Sequence, residues 1–289
     1  MVQTTRNYRA IWDFSDVAAT EQRFSALLTP DTPLVDALCI QTQIARTYGL
    51  RDRFDEALSL LDKIDEQTAT LPNPTDVDAI EVKVRSRMER GRALRSSKRA
   101  QEAKPHFLEA TTLAEKAHMD ELAIDAMHMV ALVMEDPKES LSWSEKALQL
   151  ALASEDPEAR KWDASLANNI GWTYHDAGDF TQAMHYFKTA LAARERLGAP
   201  KQIHIAKWMI ARTHRSLKEY AQALEILHAL ENGSTEEDGY VSEELAENYE
   251  ALNEHDKAKP YFLQAYTQLK DDKSLEPARL ERLLTLSQA

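Results

Sequence analysis

Between Leu166 and Leu191 the chain reads LANNIGWTYHDAGDFTQAMHYFKTAL. Gly171 and Tyr174 are three apart, and Ala183, Phe187 and Ala190 follow at spacings of four and three. Residues at these separations share one face of a helix, so two helices are predicted, joined by the short turn Ala177-Gly178-Asp179. Each helix sets a small residue, where a neighbour can approach closely, beside a large one. A lone helix pair of this kind cannot bury its apolar face and is expected to stack on similar pairs.

The pattern recurs. QIARTYGLRDRFDEALSLL carries Ala45, Tyr48, Ala57 and Leu61, and MERGRALRSSKRAQEAKPHFLEA carries Gly91, Leu94, Ala103, Phe107 and Ala110. MIARTHRSLKEYAQALEIL repeats it with Ala211, His214, Ala223 and Leu227, and LAENYEALNEHDKAKPYFLQA with Ala246, Tyr249, Ala258, Phe262 and Ala265. A degenerate copy with a shortened turn, VALVMEDPKESLSWSEKAL, lies between Ala131 and Ala147, where Met127, Met129 and Met134 fit a gap-filling role. The first small residues of the second helices are Ala57, Ala103, Ser140, Ala183, Ala223 and Ala258, at spacings of 46, 37, 43, 40 and 35 residues. Pro105 and Pro260 occupy one slot in two second helices, and proline belongs in a first turn, so those helices are expected to begin near Gln101 and His255. Tyr174, Phe187, Phe107, Phe262 and Tyr249 are core candidates.

The ends read as caps. WDFSDVAATEQRFSALL predicts one amphipathic helix with Val17, Phe24 and Leu27 on a face, capped by Ser15 or Asp13, with Trp12 and Phe14 packing beside it as a staple. Leu275 to Leu286 predicts a last helix through Leu280, Leu283 and Leu284. The expected organisation is an N-terminal capping helix over 1–34, a repeat array over 35–268 and a C-terminal capping helix over 269–289. Thr68 to Asp76, Ser154 to Asp163 and Glu231 to Gly239 are loops between repeats.

These residues resemble the tetratricopeptide repeat family: small-x-x-aromatic on the first helix, then Ala-x-x-x-aromatic-x-x-Ala on the second. The long, uneven spacing is similar to the kinesin-light-chain and quorum-sensing-regulator styles of the repeat, and the usual first-helix tryptophan is missing from every copy. The resemblance covers roughly Val35 to Gln268. It implies an all-α fold, a right-handed α-solenoid of about six antiparallel helix pairs with N- and C-terminal capping helices.

Composition narrows the chemistry. The chain has 289 residues, 43% of them hydrophobic and dominated by helix formers. Its formal net charge of -13 steers it away from nucleic acid and anionic membranes. Seven scattered glycines make no phosphate-cradling loop, and the one cysteine, Cys39, excludes an internal disulfide and a Cys-based zinc site. No HExxH or GxSxG motif is present, so neither catalysis, a metal nor a cofactor is expected. With no apolar leader and no run of membrane-spanning length, the expectation is a soluble, cytoplasmic protein.

The resemblance implies that the first helix of each pair lines a groove, at positions three before, one after and four after the small residue. Those positions are Thr42, Arg46 and Gly49; Met88, Arg92 and Arg95; His128, Leu132 and Glu135; Asn168, Trp172 and His175; Trp208, Arg212 and Arg215; and Glu243, Glu247 and Glu250. Tryptophan and arginine are the residues enriched at binding hot spots, and arginine forks hold carboxylates. The candidate ligand-binding set is therefore Arg92, Arg95, His128, Asn168, Asn169, Trp172, His175, Trp208, Arg212 and Arg215. A second reading stays open: the arginines form ion pairs between repeats, Arg212 and Arg215 with Glu247 and Glu250, Arg92 and Arg95 with Glu135 and Asp136, while Trp172 and Trp208 pack on each other. The expected function is a non-catalytic scaffold binding a peptide or partner segment, one bearing an acidic group or C-terminal carboxylate. The alternative is a peptide-responsive regulator of the quorum-sensing type. Self-association through the end helices is a further open expectation.

Overall fold

The computed structural model describes residues 5–233, 238–272 and 275–288, and all regular structure among them is helical. The chain forms two compact units, 1–166 and 167–289. The first unit holds α1 (Val17–Ala26), α2 (Leu34–Gly49), α3 (Phe54–Ala69), α4 (Val77–Ser96), α5 (Ala100–Lys116), α6 (Asp120–Ala131), α7 (Pro137–Ala153) and the short α8 (Pro157–Arg160). Helix α9 (Asp163–Asp176) begins at its end. The second unit continues with α10 (Phe180–Leu197), α11 (Pro200–Ser216), α12 (Tyr220–Gly233), α13 (Gly239–Ala251), α14 (His255–Leu269) and α15 (Pro277–Gln288). Helices pair as α2 with α3, α4 with α5 and α6 with α7, then α11 with α12 and α13 with α14, a solenoid-type helical repeat.

A constant offset organises the pairs. Gly91 and Phe107, Gly171 and Phe187, Ala211 and Leu227, Ala246 and Phe262, and Ala45 and Leu61 are each 16 residues apart. Phe107 and Phe262 are fully buried and Phe187 nearly so. A Cβ on Gly91 would lie 2.4 Å from Phe107 Cε1, and one on Gly171 would lie 2.6 Å from Phe187 Cδ1. The small residue is thus the seat of the aromatic ring. Tyr174 and Tyr249 are only partly buried; they stack on Tyr186 and Tyr261 at 5.5 and 5.9 Å.

The turns repeat as well. Seven residues after each of these small residues the chain enters the left-handed region, at Asp52, Lys98, Gly178, Lys218 and Asn253. The next N–H then bonds back to a carbonyl five residues earlier: Arg53 to Tyr48, Arg99 to Leu94, Asp179 to Tyr174, Glu219 to His214 and Glu254 to Tyr249. This Schellman-type closure satisfies carbonyls that the helix end leaves open. Only one of the five turns uses glycine, so turn composition hid four of them.

Several sequence expectations are corrected. Asp16 caps α1, accepting from Ala19 N at 2.9 Å, while Asp13 instead holds Ser15. The helices bearing Pro105 and Pro260 do begin where expected, at Ala100 and His255, but each proline is the sixth residue of its helix, just past the first turn. The last helix starts at Pro277 and runs to Gln288, with Leu283 fully buried against the cluster around Phe262. The loop Ser154 to Asp163 contains α8, and α12 extends to Gly233 into the expected loop, whose residues 234–237 lie outside the described part.

Candidate functional site

Within the first unit, the facing sides of α2, α4 and α6 bound an open cavity of about 540 Å³. Met88 and Leu122 give it apolar floor, and Gln43, Arg46, Glu89, Arg92, Glu121 and Asp125 give it polar edges. Glu158, Lys161 and Trp162 close one end. The opposite wall is the chain's own N-terminal segment, residues 5–14.

That segment is joined to the helices by both main-chain and side-chain contacts. The Arg6 guanidinium bonds Asp36, Asp78 and Glu81, its N–H donates to Glu81 Oε1, and its carbonyl accepts from Arg85 Nη2 at 2.5 Å. Tyr8 is packed between two core clusters and lies edge-on to Phe24. Beyond a 3-10 turn at Arg9–Ile11, Trp12 Nε1 donates to Gln43 Oε1 at 3.0 Å and its ring stacks on Phe14 at 5.0 Å. The Arg46 guanidinium lies 5.1 Å from the Trp12 ring centroid, a cation–π arrangement. Trp12 and Phe14 were expected as a staple for α1. Trp12 does meet Phe24 edge-on, yet both also line the cavity. The signal available in the sequence was the basic–aromatic run RNYRAIW in an acidic chain.

The polar residues of the cavity are unevenly paired. Arg92 bonds Glu89 and Asp125, each at 2.5 Å. Burial alone would lower the Arg92 pKa, but the Asp125 and Glu89 carboxylates outweigh it and hold it above its usual value. Burial would raise Asp125, and the Arg92 and Arg46 charges pull it below the usual carboxylate range. Arg46 reaches Glu89 only at 3.9 Å; burial and the Arg92 charge lower its pKa. Glu89 is 4% exposed, and its Oε2 has no hydrogen-bond partner. Trp162 Nε1 and Glu158 Oε2 are likewise buried without one.

The predicted site residues fall into both units. In the first, Arg92 lines the cavity, Arg95 is exposed, and His128 lies beside Trp162 at 5.9 Å. Burial, with the Arg92 charge and against the nearby Asp125 carboxylate, lowers the His128 pKa. In the second, Trp172 and Trp208 meet at 6.3 Å with Arg212 over both rings. Trp208 Nε1 donates to Tyr240 O at 2.9 Å. Arg212 and Arg215 converge on Glu244, which is 1% exposed, at 2.8 and 2.7 Å. His175 meets Ser216 Oγ at 3.1 Å. Asn168 accepts from Arg194 Nη2 at 2.8 Å and donates to Asn169 Oδ1 at 3.3 Å.

Ion pairs between neighbouring elements thus consume Arg92, Arg212 and Arg215, with partners other than those read from the sequence. Glu244 and Asp125 replace Glu247 and Asp136, because the facing residue on the next first helix is set by the stacking of pairs. Glu247 instead pairs with Arg282 of α15, and Glu243 with Arg279 at 2.5 Å. Among the described residues no group of three or more His, Cys, Asp and Glu is arranged to hold a metal ion, and no helix is long and apolar enough to cross a membrane.

Known proteins place this architecture. The sequence matches the tetratricopeptide repeat model over residues 120–196 and again over 243–268, and the chain carries repeats of that type. No curated protein matches the whole sequence significantly. Among solved structures, the apo form of RapI is similar with a TM-score of 0.75 at 13% identity, over 96% of this chain and 77% of that one. BtubC (BKLC) from P. vanneervenii gives 0.58 at 14% identity, over 78% and 93%. A kinesin-light-chain protein with nearly identical repeats, from Podosopora anserina, gives 0.52 at 18% identity, over 70% and 96%. At these identities the likeness is one of fold.

Proposed function

We propose that this chain is a non-catalytic, peptide-responsive regulatory protein that holds an extended peptide or partner segment in the groove of its first unit. The observation that carries this reading is the cavity of about 540 Å³, lined on one side by an N-terminal segment of the chain itself. Its volume is in the range of sites that enclose small ligands, and its lining is rich in charged groups set beside Met88, Leu122 and the rings of Tyr8, Trp12 and Trp162, a mixture suited to a polar, peptide-like ligand. Glu89 Oε2 and Trp162 Nε1 offer an acceptor and a donor suited to a peptide main chain. Arg46 is the groove arginine with spare donors, suited to an acidic side chain or C-terminal carboxylate. The helical-repeat fold supports a binding role, since such repeats present continuous surfaces rather than reactive centres.

The test is a short-peptide library, with free and amidated C-termini, screened against the full chain. Binding is expected and should weaken at least tenfold in Arg46→Ala, with helicity unchanged. A Trp208→Ala/Arg212→Ala variant tests the second unit, where Arg212 Nε is buried without a partner. Binding lost only there would move the site to that unit. No binding by any peptide would overturn the reading.

A further inference from the structure

The N-terminal segment is held very differently along its length. Its start is anchored by the Arg6 carboxylate network and the packed Tyr8 ring. Its end is tied to α1, where Thr20 Oγ1, on a fully buried residue, accepts from Asp13 N and donates toward Asp13 O. The middle, Arg9 to Trp12, has no buried residue in its turn. Arg9 reaches Glu121 at 3.1 Å and Glu158 at 3.6 Å from a half-exposed position, while Trp12 has one side-chain hydrogen bond, to Gln43, beside its ring contacts with Phe24 and Arg46. Phe14, the outer partner of the Trp12 stack, is 62% exposed. Exposed ion pairs of this geometry are individually weak. Beneath this middle stretch lie two buried polar atoms without a hydrogen-bond partner, Glu89 Oε2 and Trp162 Nε1.

Resting on the peptide-binding reading, we infer that Arg9–Trp12 is a tethered competitor for the groove. A peptide of like basic–aromatic chemistry binds by taking Glu121 and Glu158 from Arg9 and Gln43 from Trp12, swinging the strap out between its two anchored ends. The tether gives the strap a high effective concentration, so it outcompetes weak ligands without tight contacts of its own. Occupancy of the groove is then converted into exposure of Trp12, a change at the surface that a partner can read. A resident that occupies the site about nine-tenths of the time lowers the apparent affinity of a competitor about tenfold.

The experiment uses the full chain and a synthetic peptide with the sequence of Arg6 to Phe14, RNYRAIWDF, titrated by calorimetry. The wild type is expected to bind it weakly, and an Arg9→Ala/Trp12→Ala chain about tenfold more tightly. Adding Glu121→Gln/Glu158→Gln should remove that gain. Should the double alanine chain lose helicity or melt early, Arg9→Glu alone frees the same carboxylates at a half-exposed site and must give the same direction. Equal affinity for both chains, weaker binding by the loosened chain, or no binding by either overturns the competitor assignment. A library peptide that depends on Arg46 but binds wild-type and strap-loosened chains equally would leave the peptide-binding reading standing and sink this one alone.

Discussion

Replacing Gly91 by alanine isolates the contact around which each helix pair is built. In an open helix the change should help, since alanine is favoured over glycine by about 1 kcal/mol. Here the new Cβ would lie 2.4, 2.6 and 2.8 Å from three atoms of the Phe107 ring, and Phe107 is fully buried with nowhere to retreat. Overpacking of this kind costs about 1–3 kcal/mol, so the net expectation is a loss of about 1 kcal/mol. Gly49 is the control: nothing lies within 4 Å of its Cβ position, and Gly49→Ala should be neutral or stabilise by a few tenths of a kcal/mol. The assay is urea unfolding followed by helical circular dichroism, comparing midpoints at constant slope. Gly91→Ala combined with Phe107→Leu should be less damaging than the sum of the two, because the ring that clashes is gone. If Gly91→Ala proves as stable as Gly49→Ala, the aromatic seat is not the constraint that makes this position small.

Three further outcomes are expected. Glu244→Gln should destabilise the second unit by about 2 kcal/mol in thermal melts, because it leaves two arginines facing each other where one buried carboxylate served both, while Glu247→Gln, which loses a single pair to the half-exposed Arg282, should change less. His128 has a folded pKa below its ordinary value, so the unfolded chain takes up its proton first; stability should decline as pH falls below about 6.5, and His128→Asn should flatten that slope between pH 6.5 and 5. Burial, with the Glu81 charge adding to it, pushes the Cys39 thiol up to about 12, so it should resist a thiol-directed reagent at pH 8 in the native chain and react at once in denaturant.

The repeated small–large spacing was enough to specify the helix pairs, because a 3.6-residue period and a need to bury one face leave few alternatives, and Phe107, Phe187 and Phe262 declared themselves as core by their offset from Gly91, Gly171 and Ala246. The resemblance to the repeat family also placed Trp172, Trp208, Arg212 and Arg215 on one expected surface, and the structure brings Trp172, Trp208 and Arg212 together and Arg212 and Arg215 onto Glu244. The sequence could not say which carboxylate each arginine meets. Glu244 rather than Glu247 receives Arg212 and Arg215 because the choice depends on how one pair is rotated and shifted against the next, a matter of side-chain packing over about 30 residues of chain. The four non-glycine left-handed turns were hidden for a related reason: the backbone conformation at Lys98 or Lys218 is imposed by the two helices it joins and not by its own preference. Least legible was the cavity wall. Nothing in the spacing of Arg6, Arg9 and Trp12 reveals that they reach Glu81, Glu121 and Gln43, since those partners are distant in sequence and come together only when the helices stack and the N-terminal segment is laid across them. Periodicity determined the elements and their cores; only tertiary packing decided which charges neutralise one another and which polar atoms are left open beneath the strap.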